Sequence, residues 1–219
     1  MALSKRLLAI YQMVEKGSVV ADIGCDHGLL SMALVQGKVC DHVVACDLRS
    51  GPLLRAKESI ARAGLEKQIT TLQRDGMNDL PEDVDTIVIA GMGFDTIKGI
   101  LEQQGNELHK YRRIIIQCNK HVDDVRRWIS EHHYHLICED LVKEDHFYEI
   151  LAFAPTTGRT LSDDEILFGH LENHPEFLPY WMHRSHKISA ILTHMPKHDA
   201  HYLALYALLQ TIKTKIEAK

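Results

Sequence analysis

The sequence predicts an α/β fold in which a doubly wound sheet carries an antiparallel last strand and is followed by a C-terminal helical subdomain. Three observations predict it. Short β-branched runs alternate with amphipathic segments through most of the chain, two strand candidates then follow one another directly, and everything beyond Pro155 has helical periodicity.

The runs Val19 to Ile23, Val43 to Cys46, Ile69 to Leu72, Thr86 to Ala90 and Ile114 to Gln117 are short and mostly β-branched, as strands buried on both faces should be. Between them, Pro52 to Ala63, Thr96 to Gln103 and Val122 to His132 repeat apolar residues every three or four positions on a charged background. Tyr134 to Val142 and Phe147 to Phe153 are separated only by Lys143, Glu144, Asp145 and His146, which reads as a hairpin and brings an antiparallel strand into the sheet.

Pro155, Thr156, Thr157 and Gly158 read as a turn-rich boundary, giving domains of 1–154 and 155–219. Ser162 followed three residues later by Glu165 has capping-box spacing and opens a helix. Phe177, Trp181, Ile188, Ile191 and Met195 form one apolar stripe, ended by Pro196; Tyr202, Leu205, Tyr206, Leu209, Ile212 and Ile216 form a second. Two such helices with a short connection should pair as an antiparallel coiled coil, each burying its stripe.

The chain has 219 residues, enough for one α/β domain and a small appendage, and a formal charge of −5. That balance argues against coating nucleic acid by bulk attraction, so any such contact must be a local patch. The tail after Pro155 has seven basic and seven acidic residues, against 18 and 23 before it, and carries the cluster His183, Arg184, His186, Lys187. It is the more plausible polyanion surface, although charges on helices are usually just solvated faces.

The five cysteines (25, 40, 46, 118 and 138) are scattered, without a Cys-x-x-Cys pair, and imply reduced thiols in a cytoplasmic protein. No signal peptide or membrane-length apolar run is evident. The histidines lack a His-Glu-x-x-His pattern or an acidic partner at ligand spacing, so no metal is expected.

The sharpest motif is Val19-Val20-Ala21-Asp22-Ile23-Gly24-Cys25-Asp26-His27-Gly28 at the end of the first strand. Gly24 permits a sharp turn and close ligand approach, and Gly28 would start the next helix, whose N-terminus faces the site. A dinucleotide fingerprint would have Gly-x-Gly-x-x-Gly here to clear a pyrophosphate. Instead Asp22 precedes a single turn glycine, and its charge suits a ligand carrying an ammonium and a sulfonium but no phosphate, which describes S-adenosylmethionine. A generic strand-turn-helix explains the motif about as well when it is taken alone.

Asp47, which with Leu48 ends the second strand, could accept hydrogen bonds from a ribose diol or cap the next helix. Asp75-Gly76 follows the third strand, where an adenine amine would lie, or forms a plain β-turn. Acidic or glycine positions at three successive strand ends are less easily coincidental than any one of them. The fourth strand ends in Ala90-Gly91-Met92-Gly93 and the fifth in Gln117-Cys118-Asn119-Lys120, which set bare backbone and polar groups at the same rim.

With these segments in place, the chain resembles the bacterial tRNA adenine-22 N1-methyltransferase family, of Rossmann-like fold. The matching residues are Leu3-Ser4-Lys5-Arg6-Leu7, Asp22 to Gly28, Ala90 to Gly93, Gln117-Cys118-Asn119 and Tyr148-Glu149-Ile150, in order along nearly the whole chain. The pattern departs from the family's at Cys25, Phe94 and Cys118, and Phe94 bears on the width of the substrate mouth. The resemblance implies S-adenosylmethionine as cofactor, tRNA as partner and a monomer or weak homodimer.

Cofactor contacts are expected at Asp22, Gly24, Gly28, Asp47, Leu48, Asp75, Gly76, Gly91 and Met92. Catalytic candidates are Asp26, His27 and Asn119, where Asp26 has helix capping as its ordinary alternative and His27 a solvated or packing role. RNA candidates are Lys5, Arg6, Gly93, Phe94, Arg184 and Lys187. Other readings are a methyltransferase acting on another RNA base, a small molecule or a protein, and a cofactor-binding RNA module without turnover; a nicotinamide oxidoreductase is disfavoured by the missing middle glycine.

Overall fold

The structure, a computed structural model, describes residues 3–219. It divides into two compact units, one ending at Leu171 and one running Glu172–Lys219.

The first unit is built on a seven-stranded sheet of order β3-β2-β1-β4-β5-β7-β6. Strands β1 (Val20–Ile23), β2 (Val43–Asp47), β3 (Ile69–Gln73), β4 (Thr86–Met92) and β5 (Arg113–Cys118) are parallel. β7 (Phe147–Thr157) runs antiparallel between β5 and the edge strand β6 (Tyr134–Lys143). Chain order reverses between β1 and β4, and at such a switch point the carboxyl ends of the strands leave a crevice for a ligand.

Side chains alternate across each strand and feed two cores. Ala21, Ile23, Ile87 and Ile89 pack with α4 (Phe94–Glu102), α5 (Val122–Glu131) and α6 (Asp163–Phe168). Val20, Val43, Val88 and Ile115 pack with α1 (Lys5–Met13), α2 (Leu29–Gln36) and α3 (Ser50–Ala63) on the other face. Both faces of the central strands are therefore dry, which is why those strands read as continuous apolar runs.

The boundary read at Pro155 falls inside β7, which continues through Thr157 and pairs Thr157 with Tyr134. A proline is tolerated there because β5 pairs with β7 only as far as Phe153, so the missing N–H withdraws no bond from that ladder. The first unit also extends further along the chain. The predicted capping box is present, with the Ser162 hydroxyl accepting from the Glu165 N–H and the Glu165 carboxylate accepting from the Ser162 N–H.

α6 is tied to the sheet by Arg126 of α5, whose side chain is 1% exposed. Its guanidinium donates to Glu139 and Glu149, at 2.6 Å each, and to the carbonyl of Ile166 at 3.3 Å. Glu139 also accepts from the His170 N–H at 2.6 Å. Each charge is thereby both paired and hydrogen-bonded, the condition under which burying it is tolerable.

The second unit comprises α7 (Phe177–His194) and α8 (Tyr202–Glu217), packed on one another. The short connection through Pro196 makes them antiparallel, as the two stripes predict. Phe177, Trp181, Ile188, Leu209 and Ile212 are buried, while Ile191, Leu203 and Tyr206 remain exposed, so the stripes are covered over only part of their length.

Candidate active site

A cleft of about 720 Å³ opens at the carboxyl edge of the sheet, within the size range of small-molecule sites. Its lining includes Asp22, Gly24, Asp26, His27, Asp47, Leu48, Asp75, Gly76, Gly91 and Met92, so nearly all the predicted cofactor and catalytic residues converge there. Strand ends supply them, because each parallel strand delivers its following loop to the same edge.

Asp22 lies at the floor, 5% exposed, with the Ser31 hydroxyl donating to its Oδ2 at 2.7 Å. Burial pushes its pKa up to about 6; the charge of Asp47 adds to the rise, and the Ser31 hydrogen bond opposes it. A carboxylate that is ionised at neutral pH but poorly solvated is primed to receive a cation. Ser31 was not singled out in the sequence, although a lone hydroxyl in the apolar run Leu29-Leu30-Ser31-Met32-Ala33-Leu34 is a signal.

Gly24 adopts φ +76°, and a Cβ there would lie 2.3 Å from Cε of Met92. The bare turn is thus required by conformation and by space together. Gly28, also left-handed, is the N-cap of α2 and does not line the cleft; it lies against Ala56 of α3 and lets the two helices approach.

Asp47 is also 5% exposed, and it accepts from the backbone N–H of Arg49 at 2.9 Å and of Asp26 at 3.4 Å. It therefore orders both neighbouring loops while facing the cleft. Asp26 does not cap α2: it has φ +49° and an exposed side chain 3.9 Å from Arg55 and 3.6 Å from His27.

Asp75 is exposed, and Gly76 lies against Ile100 of α4 and Gln103, which follows that helix. Arg74 completes that wall; its Nη1 donates to Asp79 at 3.0 Å, while its buried Nε finds no partner among the described residues. Arg74 was not singled out in the sequence, where only its position before Asp75-Gly76 hinted at it.

At the mouth, β4 has a register irregularity between Ala90 and Met92, and Gly91 turns with φ +78°. Gln117, fully buried, accepts from the Gly91 N–H at 3.1 Å and from Nη1 of Arg6 at 2.7 Å. Its own amide donates to Asn119 Oδ1 at 3.2 Å, and Asn119 Nδ2 donates to the Gly91 carbonyl at 2.7 Å. Arg6 also lies over the Tyr148 ring, 5.6 Å from its centroid.

The residues predicted for RNA are dispersed. Arg6 is turned inward to the cleft wall, where Gln117 holds it, while Lys5 is exposed on the same helix. Gly93 is the exposed N-cap of α4, and Phe94 is half-buried against the core, outside the cleft lining. In the second unit Lys187 is exposed, whereas Arg184 lies 4.9 Å over the Trp181 ring and donates to the Tyr180 hydroxyl at 3.3 Å.

Among the described residues no group of three or more His, Cys, Asp or Glu side chains is arranged to hold a metal ion, and no helix is long and apolar enough to cross a membrane.

Residues 3–151 match the family described as "Methyltransferase domain". The chain belongs to that family, and its mixed seven-stranded sheet with a carboxyl-edge cleft is the Rossmann-like methyltransferase architecture. The tRNA (adenine(22)-N(1))-methyltransferase of Bacillus subtilis is 36% identical over 151 residues, which span 68% of this chain and 63% of that protein. A Mycoplasma pneumoniae protein named "Putative tRNA methyltransferase" is 32% identical over 78% of this chain and 82% of its own length. The solved structure of M. capricolum TrmK, in complex with S-adenosyl-homocysteine, superposes with a TM-score of 0.88 at 26% identity, covering 99% of both chains. Within the methyltransferases, the chain is thus similar to tRNA methyltransferases, and it spans 63% of the length of the B. subtilis relative.

Proposed function

We propose that this protein transfers a methyl group from S-adenosylmethionine to N1 of an adenine in tRNA, at position 22, in the cytoplasm. The observation that carries the reading is the pair of buried carboxylates, Asp22 and Asp47, at adjoining strand ends of a cleft with no phosphate-binding glycine pattern. Bound there, the cofactor supplies an electrophilic methyl group. Asp22 would face its cationic end, Asp47 its ribose hydroxyls, and Asp75 with Gly76 its adenine, while Leu48, Gly91 and Met92 flank the mouth.

Adenine N1 carries a free lone pair at neutral pH, so no strong base is needed to start the transfer. The methylated base is cationic, and a carboxylate near its exocyclic amine stabilises charge that grows towards the transition state. Asp26 is assigned that role, with His27 orienting it. Asn119 is assigned to the acceptor side through its bond to the Gly91 carbonyl.

A paired base must leave its stack before its N1 can meet the donor. Lys5, Gly93 and Phe94, each adjacent in sequence to a cleft-lining residue, and Arg184 and Lys187 on the helical pair, are the assigned RNA contacts, phosphates being met by the cations. A monomer or weak homodimer serves this reading equally.

Incubation with labelled methyl donor and bulk tRNA, followed by nucleoside analysis, tests it. Label in N1-methyladenosine, lost from tRNA with another base at position 22, is the expected result. Label elsewhere, or none, overturns the assignment.

A further inference from the structure

The mouth of the cleft is held by a chain of hydrogen bonds whose direction is fixed, and its centre, Gln117, has no assigned role. Arg6 and the Gly91 N–H can only donate, so the Gln117 oxygen must face both. Its NH2 group then has to face Asn119 Oδ1, which turns Asn119 Nδ2 onto the Gly91 carbonyl. Both polar groups of one peptide residue, Gly91, are thus gripped by a single relay running from Arg6 of α1 through β5.

The grip is placed where it matters for alignment. Gly91 sits at the irregularity of β4 in a left-handed conformation, and next to it Met92 reaches to Gly24 across the cleft. If Gly91 shifts, the wall between donor and acceptor shifts with it, and sub-ångström misplacement of reacting groups is costly in rate. Gln117 itself lies in a parallel ladder beside Ala90 and is fully buried, so an unsatisfied amide there would be expensive.

We infer that Gln117 is a positioning residue for methyl transfer, which orients the Gly91–Met92 backbone through Asn119 and is itself oriented by Arg6. The inference rests on the methyltransferase reading, but its grip on Gly91 is measurable without turnover.

Gln117→Glu keeps the acceptor facing Arg6 and Gly91 but cannot donate to Asn119, which must turn its NH2 group towards the new carboxylate and its oxygen towards the Gly91 carbonyl. The expected result is a kcat about 30-fold lower on tRNA, with KM and the calorimetric Kd for S-adenosylhomocysteine within about threefold. Asn119→Asp should reproduce it. In Gln117→Leu the Gly91 amide should lose its hydrogen-exchange protection, and Gln117→Leu with Asn119→Ala should be no slower than the worse single variant, since both cut one relay.

Wild-type kcat in Gln117→Glu, a kcat loss matched by an equal loss of cofactor affinity, multiplying losses in the double variant, or retained Gly91 protection in Gln117→Leu would each overturn the inference. A wild-type protein that leaves tRNA unmethylated would remove the functional reading alone, and the relay would then stand or fall on Gly91 exchange.

Discussion

Ser31 donates its hydroxyl to Asp22 Oδ2 at 2.7 Å, and both side chains are shut away from solvent beneath the cleft. Hydrogen bonding from the Ser31 hydroxyl and backbone does not repay the desolvation of the carboxylate, which is why its pKa is pushed up to about 6. The ligand-free protein therefore carries a charge at the cleft floor that destabilises it, kept for a cationic ligand.

Replacing that carboxylate should separate stability from binding. Asp22→Asn is expected to raise the urea stability of the ligand-free protein at pH 7.5 by roughly 1 to 3 kcal/mol, the size of a pKa displacement of about two units. The same variant should bind S-adenosylhomocysteine at least 30-fold more weakly by calorimetry. Unchanged affinity would remove Asp22 from the site.

The sign of the pH dependence follows from the same displacement. The folded protein holds a proton on Asp22 up to about pH 6, whereas the unfolded chain releases it near 3.8. Below 3.8 the carboxyl is neutral in both states and its stabilising contribution relative to neutral pH is fully present; it is lost as pH rises through 6. Binding of a cationic ligand needs the ionised form, so cofactor affinity should fall about tenfold per pH unit below 6, and titrations between pH 5 and 8 should place the break there. The break should vanish in Asp22→Asn.

Gly24 makes a steric prediction. Gly24→Ala places a methyl where Met92 Cε now lies, in a backbone conformation that L-residues avoid. Met92 lines the cleft, so displacing its side chain alters the wall the ligand meets, and the cofactor Kd should rise at least tenfold with about 1 to 2 kcal/mol of stability lost. Gly24→Ala combined with Met92→Ala should regain part of the affinity and none of the backbone strain. Equal affinities in the single and double variants would contradict the packing argument.

Arg126 makes a stability prediction away from the cleft. Arg126→Met leaves Glu139 and Glu149 buried side by side without their cation and should cost about 3 to 5 kcal/mol in urea unfolding. Gly169→Ala should also destabilise, because its Cβ would lie 2.7 Å from Arg126 Nη2 and 2.8 Å from Glu139 Oε2.

The order of strands and the hairpin were legible because they rest on period and length, which are local. Asp22, Asp47, Asp75 and the glycines at strand ends were legible for the same reason: a parallel sheet sends every such loop to one edge. What was not legible is pairing over distance. Arg6 reads as a phosphate hook until Gln117 is seen to hold it from 111 positions away. Arg126 reads as a surface charge on a polar helix, and only its contacts with two strands and α6 show it to be buried. Pro155 looked like a boundary because a proline's tolerance inside a strand depends on where the neighbouring strand stops.

The separation between those partners also bears on how the first unit assembles. The loops that hold Asp22, Asp47 and Asp75 are complete once β1 to β4 have paired, using the first half of the chain. The rim waits for residues far downstream: Arg6 needs Gln117, and the Lys5 backbone needs Glu144 at the hairpin tip, 139 positions away. Yet both sets of contacts lie within the one unit that ends at Leu171, and a domain folds as a unit, so floor and rim are completed together once that whole stretch has left the ribosome. Contacts so remote in sequence slow the folding of that unit as a whole, so ligand affinity and activity should return together on refolding.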